Sequence, residues 1–191
     1  MKVIGITGGI GAGKSYISNF FLQLNIPIYD SDSRAYFLMT NNNVIIKKII
    51  ELFGQQSYIN GQLNKSYISS LIFQNKHNLR LMNSVIHPAV FNDFNDWLSN
   101  QTSNYVIYES ALIYENKSQD RFDRVISVLC SDENRIIRLK KRGLSLKKIK
   151  EIMNVQLSTS KIISLSDIII ENNSNANLKN EILRLHKIFS S

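Results

Sequence analysis

Near its start the chain runs Gly8-Gly9-Ile10-Gly11-Ala12-Gly13-Lys14-Ser15, and no other segment constrains its fold as strongly. The run fits the pattern G-x-x-x-x-G-K-[ST]. It stands between a β-rich apolar stretch, Val3 to Thr7, and a segment, Lys14 to Leu24, in which Ile17, Phe20, Phe21 and Leu24 recur at helical spacing. A loop of this kind between strand and helix suits a polyphosphate. Glycines permit backbone angles that turn successive N–H groups onto phosphate oxygens, and the helix N-terminus adds partial positive charge. Lys14 then reaches the outer phosphates and Ser15 offers its hydroxyl to Mg²⁺, so MgATP is the expected ligand. The loop leaves the chemistry open, because kinases, GTPases, helicases and transporter ATPases share it.

The remaining apolar runs complete an α/β pattern. Ile26 to Tyr29, Tyr105 to Tyr108, Val125 to Leu129 and Ile168 to Ile170 are short and bounded by polar residues, as strands buried on both faces should be. With the first run they predict a central parallel sheet of about five strands, interleaved with helices. Helical patterns are expected over Ala35 to Met39, Val44 to Phe53, Ser66 to Phe73 and Leu79 to Ile86. His87-Pro88 is expected to break the chain before a further amphipathic helix carrying Val90, Phe91, Phe94, Trp97 and Leu98. Asn60-Gly61 predicts a tight turn between two weak extended pieces, Ser57 to Ile59 and Gln62-Leu63. A basic helical region follows from Glu133 to about Gln156, and Leu178 to Phe189 closes the chain as a helix. The Asn-rich patches, Asn41 to Asn43 and Asn172 to Asn177, are expected as loops.

At 191 residues the chain is long enough for one substantial core with inserted lobes. No apolar run approaches the ~18 to 20 residues needed to span a bilayer, and the first strand meets glycines before any signal-peptide core could form. Cys130 is the only cysteine, so an internal disulfide is impossible and a cytoplasmic location is expected. The net charge of +8 favours an anionic partner. Eight cations, Arg135, Arg138, Lys140, Lys141, Arg142, Lys147, Lys148 and Lys150, lie together with no acid among them. Two readings stand for that stretch: an anion site, or a solvated helix face.

Further features narrow the class. The nearest match to the Asn-Lys-x-Asp motif of GTPases, Asn116-Lys117-Ser118-Gln119-Asp120, has one residue too many. A transporter ATPase or helicase should close an apolar strand with aspartate, whereas Tyr105 to Tyr108 ends on Glu109. Directly after the second strand stand Asp30 and Asp32. In a parallel α/β sheet the carboxyl ends of the strands gather at the ligand crevice, where a carboxylate can orient a hydroxyl and accept its proton. Asp32 is the expected catalytic member of the pair, and Asp30, Ser31 or Asp32 could each also cap the next helix. At about 100° per residue, Arg135, Arg138 and Arg142 share one helix face, from which guanidinium groups could neutralise a transferring phosphoryl group. Arg138 and Arg142 are expected to be catalytic with Lys14. No aromatics interleave with the lysines to stack bases, so no nucleic-acid partner is expected.

With these features assembled, the sequence resembles the dephospho-CoA kinase family along nearly its whole length. The opening VIGITGGIGAGKS looks like the family's start, and Asp30-Ser31-Asp32 sits at its D-x-D. Phe53-Gly54 with Asn60-Gly61-Gln62-Leu63, then His87-Pro88, Ala111-Leu112-Ile113-Tyr114-Glu115, Arg138, Arg142, Gln156 and Ser166-Asp167 with Asn172-Asn173 fall at family positions. Tyr16, Lys65, Ala111, Ser166 and Ser174 depart from the usual residues, and none of these removes a charge needed for phosphoryl transfer. The resemblance implies one kinase domain with a core over about 1–31, 101–132 and 163–191, a CoA-binding lobe over about 32–100 and a lid over about 133–162. It implies that Gly11, Ala12, Gly13, Lys14, Ser15 and Tyr16 line ATP, and that Asp32 is the base. His87 and Glu115 fall to the acceptor side or its supporting structure. The implied reaction moves the γ-phosphate of MgATP to the ribose 3′-hydroxyl of dephospho-CoA, in coenzyme A biosynthesis. No membrane or obligate protein partner is expected. The alternative is another small-acceptor P-loop kinase, such as a nucleoside monophosphate kinase.

Overall fold

The computed structural model describes residues 1–174 and 177–191. In chain order, β1 (Lys2–Thr7) leads through the glycine loop into α1 (Lys14–Gln23) and β2 (Ile28–Asp30). Then come α2 (Ser31–Asn41), α3 (Asn43–Phe53), a hairpin of β3 (Tyr58–Ile59) and β4 (Gln62–Leu63), α4 (Lys65–Gln74) and α5 (Lys76–Ser99). The chain continues through β5 (Tyr105–Glu109), β6 (Arg124–Leu129), α6 (Asp132–Lys141), α7 (Leu146–Val155), α8 (Thr159–Leu165), β7 (Ile168–Glu171) and α9 (Leu178–Ser190). Within the loop expected over Asn172 to Asn177, Asn175 and Ala176 lie outside the described residues.

Two compact units result, residues 1–30 with 101–191, and residues 31–100. The first holds a sheet of five strands among the described residues, in the order β2-β5-β1-β6-β7, every neighbouring pair parallel. The chain leaves β1 toward one edge, passing over the place that β5 fills, and leaves β5 across β1 toward the other edge. Reversals of this kind open a crevice at the carboxyl ends of the strands, and the glycine loop springs from the carboxyl end of the middle strand. This is the P-loop NTPase fold, as the sequence predicts.

Helices cover both faces of that sheet. On one side Ile17 and Phe21 of α1 and Ile182, Leu185 and Phe189 of α9 pack with Ile4, Ile6, Ile107 and Val128. On the other, Ile113, Tyr114 and Ile162 pack with Val125. Burial on both faces, most complete in β1, β5 and β6, explains why the strands are nearly continuous apolar runs. A hydrogen-bonded trio crosses the second face: Tyr114 Oη lies 3.0 Å from Ser127 Oγ, and Ser166 Oγ donates to Ser127 Oγ at 2.6 Å. Ser166, one of the departures noted above, therefore satisfies two buried hydroxyls.

In the second unit the face of α3 formed by Ile45, Ile49 and Phe53 and the stripe Met82, Ile86, Val90 and Phe94 of α5 are buried at intervals of four residues. Asn42 caps α3, accepting from the Val44 and Ile45 amides at 3.0 and 3.2 Å. The hairpin turns on Asn60 and Gly61, both at positive φ. Arg34 holds both carboxylate oxygens of Asp93, its Nε at 2.8 Å from Oδ2.

The expected break at His87-Pro88 does not occur: α5 runs through Pro88. Proline removes the bond that would reach the Ser84 carbonyl, yet both Ser84 and Pro88 are exposed, so water can take that carbonyl and the buried stripe continues underneath. Burial lowers the pKa of the neighbouring His87 from its ordinary 6.5. The folded state therefore binds fewer protons than the unfolded chain just below that value. His87 contributes its full stability above pH 6.5 and loses it as pH falls through that value toward the lower folded one. In His87→Gln, thermal melts between about pH 7 and pH 5 should show a smaller loss of stability on acidification.

Candidate active site

Side chains outside the glycine loop take its carbonyls one by one. Arg135 Nε donates to the Ile10 carbonyl at 2.9 Å. Arg138 Nη1 and Asn172 Nδ2 donate to the Ala12 carbonyl at 3.0 and 2.8 Å. Each carbonyl shares a planar trans peptide with the next N–H, which points the opposite way. Holding the carbonyls of Ile10 and Ala12 outward therefore turns the amides of Gly11 and Gly13 away from these side chains, as a phosphate cradle requires. Lys14 Nζ lies 3.1 Å from the Gly8 carbonyl, across the loop.

The close approach of α6 and of the chain after β7 restricts the loop residues. A Cβ on Gly9 would stand 2.6 Å from Arg135 Nη2 and 3.2 Å from Gln156 Oε1. Gly13, at φ 101°, is the N-cap of α1, and a Cβ there would overlap Asn172 Nδ2. Asn172 itself is 2% exposed and its backbone N–H donates to the Leu129 carbonyl at 2.8 Å.

Ser15 Oγ donates to Glu109 Oε1 at 2.7 Å. Glu109 is 6% exposed at the carboxyl end of β5, paired in register with Asp30 of β2. In the sequence Glu109 stands out only as a glutamate where helicases and transporter ATPases carry an aspartate. Its available signal was physical: an acid closing a buried apolar strand is costly unless something pairs with it.

The other expected residues are distributed as follows. Asp32 lies exposed in the first turn of α2, two residues beyond β2. Arg138 is half-buried against the loop, whereas Arg142 caps the end of α6 with its side chain exposed. Arg135 is fixed on the loop, so the arginine row divides between two loop contacts and one solvent-facing group. Tyr16 is exposed on α1, its ring edge-on to Phe20 at 5.1 Å. His87 lies within α5, and Glu115 is exposed in the turns after β5. Burial pushes the Cys130 thiol up, against the pull of Arg138 and Arg135, which leaves it a poor nucleophile. Lys147, Lys148 and Lys150 are exposed, with Lys148 lying 3.7 Å from Glu151.

Comparison with known proteins adds to this geometry. The family model described as dephospho-CoA kinase matches residues 2–177. A dephospho-CoA kinase from Gamma-proteobacterium EBAC31A08 is 34% identical over 96% of this chain and 95% of its own. One from Mannheimia succiniciproducens is 31% identical over 97% and 90%. The solved structure of dephospho-CoA kinase from Campylobacter jejuni superposes with a TM-score of 0.69 at 20% identity, covering 98% of this chain and 96% of that one, which shows a shared fold.

Proposed function

The chain belongs to the dephospho-CoA kinase family, and from that membership we propose the following assignment of its residues to the transfer of phosphate from ATP to dephospho-CoA. The observation that carries it is the loop Gly8 to Ser15, with outward-held carbonyls, at the carboxyl end of the middle strand.

Gly11 to Tyr16 receive the phosphates of ATP, and Lys14 and Arg138 neutralise the phosphoryl group in flight; Arg142 joins them only by leaving its solvent-facing place at the end of α6. The ribose 3′-oxygen of dephospho-CoA bonds to the γ-phosphorus as the bond to the ADP oxygen breaks, and the hydroxyl proton passes to the Asp32 carboxylate. Residues 31–100 receive the acceptor, with His87 and Glu115 on its side or supporting it. Residues 133–162 serve as the lid. A cytoplasmic enzyme with no nucleic-acid partner fits this reading; among the described residues no helix is long and apolar enough to cross a membrane.

Ser15 and Glu109 together fit Mg²⁺. They offer hard oxygens, and no cluster of three or more potential metal ligands occurs among the described residues. An ion that keeps several waters and binds through one or two protein oxygens plus phosphates needs no more. When bound there it would supply charge neutralisation to the phosphates. Glu109→Gln keeps an acceptor for Ser15 and drops the charge. The magnesium concentration giving half-maximal rate is then expected to rise about tenfold. An unchanged magnesium titration would assign Glu109 to holding Ser15 alone.

The test of function is steady-state transfer from MgATP to dephospho-CoA, with AMP and adenosine as parallel acceptors. Formation of CoA with little product from the other two is expected. Phosphorylation of AMP with dephospho-CoA inert would make residues 31–100 a nucleotide-monophosphate site instead.

A further inference from the structure

Arg135 stands apart from the other lid arginines because every nitrogen of its guanidinium is bound. Nε donates to the Ile10 carbonyl at 2.9 Å, Nη1 to Asp132 Oδ1 at 3.0 Å and Nη2 to Gln156 Oε1 at 2.9 Å. The same Gln156 oxygen accepts the Ile10 N–H at 3.0 Å. A closed circuit results: the Ile10 amide donates to Gln156, Gln156 accepts from Arg135, and Arg135 donates to the Ile10 carbonyl. Both polar backbone groups of one loop residue are gripped by a single pair of side chains. The Arg135 side chain is only 12% exposed, and the absence of a Cβ on Gly9 is what lets it lie so close.

A guanidinium tied by all three nitrogens does not travel to a phosphate. We propose that Arg135 and Gln156 are positioning residues, a clamp that fixes the two peptides flanking Ile10 before the nucleotide arrives. This rests on the reading above that the loop binds ATP. The Ile10 carbonyl and the Gly11 N–H belong to one rigid peptide, so fixing the first aims the second. Without the clamp that peptide must be ordered during binding, and affinity falls by the cost of ordering it. Because Arg135 lies on α6 and Gln156 caps α7, the clamp also ties both helices to the loop. Charge alone does not perform this function; the planar fork does.

The test measures dissociation constants of ATP and ADP, with no acceptor present, for the full chain and four variants. Gln156→Ala and Arg135→Lys are each expected to weaken binding about 5- to 20-fold, although the lysine keeps the charge. The double variant should be no more than about twofold weaker than the worse single one, because either change opens the circuit. Saturated turnover with dephospho-CoA should fall less than about threefold, as befits a defect in binding. Gln156→Asn, one methylene short of both donors, serves the same purpose if the alanine variant fails to fold. Single variants within twofold of the parent, or single effects that multiply in the double variant, would overturn the clamp. Failure of the parent chain to bind either nucleotide would overturn the ATP reading itself. Binding without CoA formation would leave the clamp standing and remove only the acceptor assignment.

Discussion

In Asp32→Ala, phosphorylation of dephospho-CoA is expected to fall by ~10² to 10⁴, the usual worth of a positioned general base, with the ATP dissociation constant within about twofold of the parent. Asp32 occupies the first turn of α2, where a carboxylate also favours the helix dipole by ~0.3 to 1 kcal/mol. Melting temperatures measured beside turnover separate a catalytic role from a structural one. Asp32→Asn sharpens the distinction: the amide can still accept hydrogen bonds at a helix start but cannot take the ribose proton. Turnover lost in both variants, with melting temperatures within a few degrees of the parent, would establish the base. Turnover within about fivefold of the parent in both would reduce Asp32 to a helix-start residue. Asp30, paired in register with Glu109, would then be the next carboxylate to test.

Much of this architecture was legible in the sequence, for reasons that also explain the misses. Strands buried on both faces leave short apolar runs, and each of the five run locations carries a strand. The glycine loop was legible because its function requires residue types that few other structures tolerate. Pro88 misled because its sequence signal concerns the backbone bond it removes. Whether that loss ends a helix depends on whether the freed carbonyl can be hydrated, and Ser84 and Pro88 both lie on the exposed side of α5. Helical rotation placed Arg135, Arg138 and Arg142 on one face, but rotation says nothing of distance along the axis. At ~1.5 Å per residue Arg142 lies about 10 Å beyond Arg135, past the end of α6, and only the first two arginines reach the loop. The pairing of Glu109 with Ser15 joins residues 94 apart in sequence, and it follows from the register of β5 on β1, which no local pattern encodes.

Gly13→Ala should be among the most damaging single-methyl changes in the glycine loop. At φ 101° and ψ 31° an L-residue is strained, and the new methyl would overlap Asn172 Nδ2 and stand 3.4 Å from Arg138 Nη1. Strain and overpacking together cost about 2 to 5 kcal/mol, and nucleotide affinity is expected to fall more than about 100-fold. The larger effect on binding follows from what Asn172 does. Its side-chain amide holds the Ala12 carbonyl outward and its backbone carbonyl takes Arg138 Nη2 at 2.8 Å, so pushing the residue away from Gly13 disturbs two holders of the loop at once. Asn172→Ala in the same chain removes the overlap but not the backbone strain, and it leaves the Ala12 carbonyl with Arg138 alone. Thermal melts of the double variant should recover part of the lost stability while nucleotide binding stays weak. Recovery of both would reduce the defect to the steric clash, and a single variant that binds ATP within tenfold of the parent would mean that the loop tolerates a conformation at Gly13 quite different from the one seen.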